Sequence, residues 1–205
     1  MTESPYPSFA ALDFEIANDD RSSACAVGVV VIGPDLVLRS ERLLLRPPTP
    51  RFTHTAIHGI RWEQVANAPT FAEIWPRLST MLADTRFVAA HNAPFDRSVL
   101  RACCARAGVT APEWEWVDTV QLARSRWALP DHKLPTVAAH LGIPLQHHEP
   151  LSDARAAAGI VVAALVEGWR WPPVKHPVQP ELPWRRACQE PNRPPSQQAN
   201  PRTTR

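Results

Sequence analysis

The sequence is poor in the features that mark membrane-spanning, secreted and disulfide-stapled proteins. No apolar run approaches the roughly 18 residues that a membrane-spanning helix needs. The opening residues, MTESPYPSF, lack the basic start and apolar stretch of a secretory leader, so cytoplasm is the expected location. The cysteines are few: Cys25, Cys103, Cys104 and Cys188. None forms a C-x-x-C pair and two are adjacent, which argues against a zinc site and against a disulfide framework. Nothing beside them would lower a thiol pKa, so no catalytic cysteine is expected. Internal repeats are absent as well.

A strong net charge is also lacking: it is +2 over 205 residues. Its distribution is uneven. Residues 1–170 hold 16 Lys+Arg against 18 Asp+Glu, a net of −2, whereas residues 171–205 hold 6 against 2, a net of +4. A body with that balance has no broad basic field for a polyanion and must neutralise phosphate locally, as bound metal ions would. From Trp171 the composition changes, with nine prolines among residues 172–205 and no helical or strand period. The expected organisation is one globular domain over 1–170 followed by a disordered Pro/Arg-rich tail over 171–205.

What the body does contain is an α/β pattern. Phe9–Glu15, Ala24–Ile32 and Leu36–Leu45 read as strands, the last two joined at Gly33-Pro34-Asp35 into a hairpin. Thr70 with Glu73 forms a capping box that opens a helix to about Leu82. Short strands at Phe87–Ala90 and Glu115–Asp118 alternate with helices at Pro94–Ala107, Thr119–Trp127, Leu134–Leu141 and Ser152–Glu167. Three strands, then alternating strands and helices, predict a mixed sheet covered by helices.

Three stretches carry chemistry. In Leu12-Asp13-Phe14-Glu15 the strand alternation sends both carboxylates to one face and Leu12, Phe14 and Ile16 to the other. Two like charges so close resist ionisation unless a cation is present, and Mg²⁺ prefers carboxylate oxygen. His91-Asn92-Ala93-Pro94-Phe95-Asp96 follows a buried strand, with Asp96 in the first turn of a helix. In His148-Glu149-Pro150-Leu151-Ser152-Asp153, Ser152 reads as an N-cap and Asp153 as the start of a helix. His148 sits in the preceding loop, and a histidine near neutral pKa is a natural general base. Asp96 and Asp153 also fit a plain helix-start role, where a carboxylate suits the helix dipole.

The order Asp-x-Glu, Asp, His-x4-Asp, carried by LDFE, HNAPFD and HxxxxDA, resembles the DEDDh 3′→5′ exonucleases typified by the proofreading epsilon subunit of bacterial DNA polymerase III. The resemblance covers about residues 8–168. Ile57–Ile60, Ala68–Phe71, Asp118-Thr119 and Leu122-Ala123-Arg124 extend it. It implies an RNase H-like fold with a five-stranded mixed sheet, and two Mg²⁺ or Mn²⁺ ions held by Asp13, Glu15, Asp96 and Asp153. It implies His148 as the general base; His147 lies beside it, but only His148 has the family spacing to Asp153. Many members carry Thr-Thr-Gly after the Asp-x-Glu, where this chain reads Ile16-Ala17-Asn18. Phe14, Ile16 and Ala17 would approach the terminal nucleotide, as would His58. His91 and Asn92 either contact substrate or brace the strand end. The tryptophans Trp75, Trp114, Trp116 and Trp127 are expected to pack rather than stack on bases. The implied partner is nucleic acid with a free 3′ end, DNA ahead of RNA. A non-catalytic nucleic-acid-binding domain is the rival of another class. The tail is either a linker or a docking segment for a polymerase or helicase, anchored by Trp184, Arg185 and Arg186.

Overall fold

Strand β1 (Phe9–Ile16) is apolar except at Asp13 and Glu15, and β2 (Ala24–Ile32) carries no charge. Both are buried almost throughout, as the inner strands of a sheet covered on two sides must be. They pair antiparallel, with Leu12 opposite Val29 and Asp13 opposite Gly28. The computed structural model describes residues 7–33 and 38–171. Strand β3 (Leu38–Leu44) pairs antiparallel with β2 and forms one edge. Two short helices follow, α1 (Thr55–His58) and α2 (Trp62–Val65), and then the longer α3 (Phe71–Leu82). Strand β4 (Val88–Ala90) returns parallel to β1. A parallel return needs a crossover connection. Helix α4 (Ala93–Ala107) makes the next one, to β5 (Trp116–Asp118), which completes the order β3-β2-β1-β4-β5.

Side-chain alternation divides the core into two layers. Leu12, Phe14 and Ile16 pack with Ile74 and Leu78 of α3 and Val99 and Leu100 of α4. Phe9 and Ala11 face the other way, toward α5 (Thr119–Arg126), α6 (Leu134–Leu141) and α7 (Pro150–Val166). Asp13 and Glu15 continue that second row, so the predicted split of β1 places both carboxylates on the face that α7 covers. Helix α7 lies close to the sheet because its inner face is small: Ala154, Ala157, Ala158 and Ala164 are all buried. The five-stranded mixed sheet flanked by helices is the expected architecture.

The element ends differ where local chemistry overrides pattern. Helix α7 starts at Pro150 and its N-cap is Glu149, whose carboxylate accepts the Ser152 N–H at 2.7 Å. Ser152, expected as the cap, instead accepts the Gln146 N–H on its hydroxyl at 2.7 Å. Proline lacks an N–H and has its φ preset for the first helical position, so the helix begins three residues earlier than a Ser152 cap suggests. Helix α4 likewise begins at Ala93. Helices α1 and α2 were not expected; four residues are too few for a helical period to register. The T-x-x-E box at Thr70 and Glu73 is present as read. Of the expected turn Gly33-Pro34-Asp35 all but Gly33, and of the expected tail over 171–205 all but Trp171, lie outside the described residues. Among those described, no helix is long and apolar enough to cross a membrane.

At the end of the sheet remote from the carboxylates, Phe9 stacks on Phe87 at 5.1 Å and Phe87 meets Trp171 at 4.8 Å. The packed body therefore reaches through Trp171. The Trp171 Nε1 is enclosed without a hydrogen-bond partner. Trp171→Phe keeps an aromatic ring on Phe87 and removes that donor, so it is expected to raise the unfolding free energy by about 1 kcal/mol. A urea midpoint below that of the wild type would show that the indole is needed for its shape.

Candidate active site

Three elements bring the predicted carboxylates to one place. Asp13 and Glu15 stand on the C-terminal half of β1. Asp96 enters from the first turn of α4, and Asp153 from the first turn of α7. Glu15, Asp96 and Asp153 are buried, at 9%, 2% and 3% exposure. Asp13, Glu15 and Asp153 line a cleft of about 970 Å³ with His147 and His148. Asp96 sits behind the lining. The Phe14 N–H donates to its Oδ1 at 2.9 Å, which pins the start of α4 to the strand between the two β1 carboxylates. That long-range bond gives Asp96 more than a helix-start role.

Asp153 is held as firmly. Its Oδ2 accepts the His148 backbone N–H at 2.9 Å and lies 3.0 Å from His147 Nδ1. Its Oδ1 is buried with no partner. A buried, unpartnered carboxylate oxygen is rare unless a ligand completes it.

The electrostatics say what kind of ligand. Burial raises the Asp13 pKa well above the ordinary carboxylate range, and the negative charges of Asp96, Asp153, Glu15 and Glu149 add to it. Glu15 is pushed up to about 8 by burial and then by Asp153 and Asp96. Burial raises Asp96 to about 7 against the opposing Phe14 hydrogen bond. Burial also raises Asp153, while the His148 N–H pulls the other way. Such a cluster is unstable as four bare anions, and its donors are all hard oxygens. It fits divalent cations of the Mg²⁺ or Mn²⁺ kind.

The two adjacent histidines differ in their bonds. The His147 ring pairs with Asp153, whereas His148 contributes its backbone N–H and leaves its ring to stack on that of His147 at 3.8 Å. His148 adopts φ 67°, a left-handed conformation that carries strain of about 1 kcal/mol in a residue with a Cβ. Burial lowers its pKa, and the neighbouring His147 lowers it further, so the ring is neutral and can accept a proton at neutral pH.

The predicted substrate contacts separate into two groups. Phe14, Ile16, His58 and His91 line the cleft. Both nitrogens of His58 are engaged: Nδ1 accepts the Ile60 N–H at 3.0 Å and Nε2 donates to the Ile16 carbonyl at 3.2 Å. His91 is engaged in the same way, with Nε2 3.0 Å from the His132 carbonyl and Nδ1 2.9 Å from the Thr119 hydroxyl. A carbonyl can only accept, so Nε2 carries the proton and Thr119 donates to Nδ1. Burial lowers the His91 pKa to about 4, which keeps that neutral tautomer. His91 thus braces the ends of β4 and β5. Ala17 and Asn92 are not part of the lining. Ala17 is fully buried, its N–H given to Ser23 and its carbonyl taken by Thr53 and His54. Asn92 is exposed, in a left-handed conformation at φ 70°, with its backbone N–H on Asp118 Oδ1.

Several contributors escaped the sequence reading. Gly28 faces the start of α7 so closely that a Cβ there would lie 2.0 Å from the Pro150 carbonyl oxygen. Glu149 adds a fifth carboxylate near the cluster and pairs with Arg42 at 3.3 Å. Arg21 lies over the Phe95 ring at 4.3 Å, and both line the cleft with Arg124 and Lys133. Lone basic residues and one glycine give no signal by pattern, and only Arg124 fell within a stretch of family likeness. The described tryptophans are absent from the lining: Trp75 packs against Phe71 and Trp114, and Trp127 donates to Glu167. Burial raises Cys25 and Cys103 to about 12 and Cys104 to about 11, which disfavours the thiolate at neutral pH.

Comparison with known proteins places this geometry. The profile of the family RNase_T, described as Exonuclease, matches residues 11–161. The chain is 31% identical over 158 residues to the PolC-type DNA polymerase III of Thermotoga maritima, covering 74% of this chain and 11% of that protein. It is 30% identical over 142 residues to the PolC-type enzyme of Caldanaerobacter subterraneus, covering 68% and 10%. The chain therefore spans about a tenth of the length of these relatives. Among solved structures, the nuclease domain of 3′hExo, a DEDDh family member bound to rAMP, superposes with a TM-score of 0.68 at 18% identity, over 82% of this chain and 96% of that one. Exonuclease X in complex with 5′ overhanging duplex DNA superposes at 0.64 with 22% identity, over 79% and 94%. The shared fold is the RNase H-like one, and the chain belongs to the RNase_T exonuclease family.

Proposed function

We propose that this chain is a metal-dependent exonuclease that removes nucleoside 5′-monophosphates from the 3′ end of DNA. The observation that carries the proposal is the convergence of four mutually repelling carboxylates, one with a buried unpartnered oxygen, three of them lining an open cleft and Asp96 directly behind it. Asp13, Glu15, Asp96 and Asp153 would hold two Mg²⁺ or Mn²⁺ ions. When bound, two such ions supply Lewis-acid stabilisation of the attacking and leaving oxygens of an in-line displacement at phosphorus. His148, neutral and seated at the cleft wall, takes the proton of the attacking water. Phe14 and Ile16 border the pocket for the terminal nucleotide, and Arg21, Arg124 and Lys133 offer positive charge along the path of the strand. His58 and His91 hold the cleft walls through their hydrogen bonds. The body through Trp171 acts as the catalytic domain, and the tail that follows it serves as a tether to a polymerase or helicase.

DNA is favoured by the kind of polymerase in which the relatives carry this segment. Full-length chain with Mn²⁺ and a single-stranded DNA labelled at its 5′ end is expected to shorten the labelled strand one nucleotide at a time. Early release of the labelled 5′ nucleotide would reverse the polarity. Faster loss of a matched RNA oligomer would move the substrate to RNA, since the metals contact only phosphate and the 2′-hydroxyl is read elsewhere. The choice of base has its own test. His148→Ala is expected to lower kcat by about 10²-fold, the usual contribution of a positioned base, and His147→Ala by much less. Equal losses would leave the two rings indistinguishable in role.

A further inference from the structure

Asp153 and the two histidines form a second kind of donor set. One ligand atom from each of His147, His148 and Asp153 lies within 4.8 Å of the others. The His147 Nδ1 to Asp153 Oδ2 separation is 3.0 Å. Two ligands at about 2.0 Å from a tetrahedral Zn²⁺ stand roughly 3.3 Å apart, so this pair is already near ligand spacing. The His148 ring stacks on that of His147 at 3.8 Å with the two planes 22° apart, so both imidazoles stand beside Asp153, and His148, an exposed loop side chain, must rotate out of the stack to aim a nitrogen at the ion that His147 binds. Asp153 Oδ1, buried and unpartnered, is a further donor. The oxygen-only cluster of β1 and α4 suits Mg²⁺. A site with two imidazoles and one carboxylate suits a borderline-soft cation.

We propose that His147, His148 and Asp153 form a transition-metal site, selective for Zn²⁺ over Mg²⁺, whose occupancy shuts the nuclease down. His147 is the residue that makes it. Binding replaces the proton shared between His147 Nδ1 and Asp153, and that proton leaves to solvent. Occupancy removes Asp153 from the Mg²⁺ set and His148 from proton transfer, an inhibitory consequence that rests on the function proposed above. The binding itself rests only on the geometry of the three side chains.

Co²⁺ reports this ligation because its visible d–d absorption is intense when it is four-coordinate with nitrogen donors. Chelator-treated full-length chain, held in excess Mg²⁺, is titrated with Co²⁺ and then with Zn²⁺. The expected result is a saturable visible band at one equivalent that Zn²⁺ bleaches. In His147→Ala and in His147→Asn the Co²⁺ affinity falls at least tenfold, while Asp13→Asn keeps the band. His147 is an exposed loop side chain, so either variant folds. No band in the wild type, or a band that survives both His147 variants, overturns the proposal. So does a band lost in Asp13→Asn as fully as in His147→Ala, because the ion would then occupy the acidic cluster. In the nuclease assay, micromolar Zn²⁺ inhibits the wild type and the concentration for half inhibition rises at least tenfold in His147→Ala. A wild type with the band but no nuclease activity in Mg²⁺ alone would sink the proposed function and leave the metal site standing.

Discussion

Asp13→Asn is expected to abolish nuclease activity, by roughly 10³-fold or more, and at the same time to make the metal-free protein more stable at neutral pH. The first effect follows from losing the carboxylate that the other members of the proposed cation-binding cluster surround. Their transition-state stabilisation is several kcal/mol, and each 1.4 kcal/mol is a tenfold change in rate. The second follows from the raised pKa values. An acid whose folded pKa lies above its unfolded value stabilises the fold below the unfolded pKa, and that stability is lost as pH rises through the folded one. Asp13 starts from 3.8 and is raised by burial and by Asp96, Asp153 and Glu15. Glu15 starts from 4.5 and rises to about 8. The metal-free wild type should therefore lose stability from about pH 4 to pH 8. Asparagine at position 13 removes one charge from the cluster and relieves part of that loss. Thermal melts in EDTA across this range would show it, with the variant ahead of the wild type at pH 8 and the gap closing toward pH 4. Saturating Mn²⁺ should raise the wild-type midpoint through binding to the folded state alone, and raise that of Asp13→Asn much less. A variant that melts below the wild type in EDTA, or gains as much from Mn²⁺, would show that Asp13 is not at the centre of the cation site.

How far the sequence foretold this site depends on whether a residue acts through a repeating pattern or through a single contact. The split of β1 into an acidic and an apolar face was legible, because strand alternation has a fixed period and Leu12, Phe14 and Ile16 declare the buried side. The positions of Asp96 and Asp153 at helix starts were legible from Pro94, from the alanine-rich run after Asp153 and from the spacing between motifs. The exact start of α7 was not, because a Glu cap before proline and a Ser cap three residues later look alike until the Gln146 N–H is seen to occupy the serine. The brace made by His91 was open in sequence, since its partners Thr119 and His132 lie 28 and 41 residues away. His147 illustrates the same limit. Spacing singled out its neighbour, and only the loop geometry shows the His147 ring on Asp153.

Gly28→Ala should disable the enzyme without touching a carboxylate. Gly28 lies opposite Asp13 in the β1–β2 ladder, and the start of α7 rests directly on it. An added Cβ would stand 2.0 Å from the Pro150 oxygen and 2.6 Å from the Leu151 nitrogen. Both are backbone atoms, so no side-chain rotation relieves the clash and the helix start must move. Three residues on, that start carries Asp153, and its N-terminal loop carries His147 and His148. A displacement of about 1 Å in a catalytic constellation reduces rate by about 10²-fold. Forcing a methyl into packed backbone costs a further 1–3 kcal/mol or so of stability. Gly159→Ala is the matched control. Its nearest neighbour would be the end of the Ile143 side chain at 2.8 Å, which can rotate away, and it lies beyond the first turns of α7. Nuclease rates measured beside denaturant midpoints separate the cases. Gly28→Ala should lose both activity and stability, and its residual activity should not recover at lower temperature where the variant is fully folded. Gly159→Ala should keep most of both. Wild-type rates in Gly28→Ala would mean that β2 yields and that the seating of α7 does not set the position of Asp153.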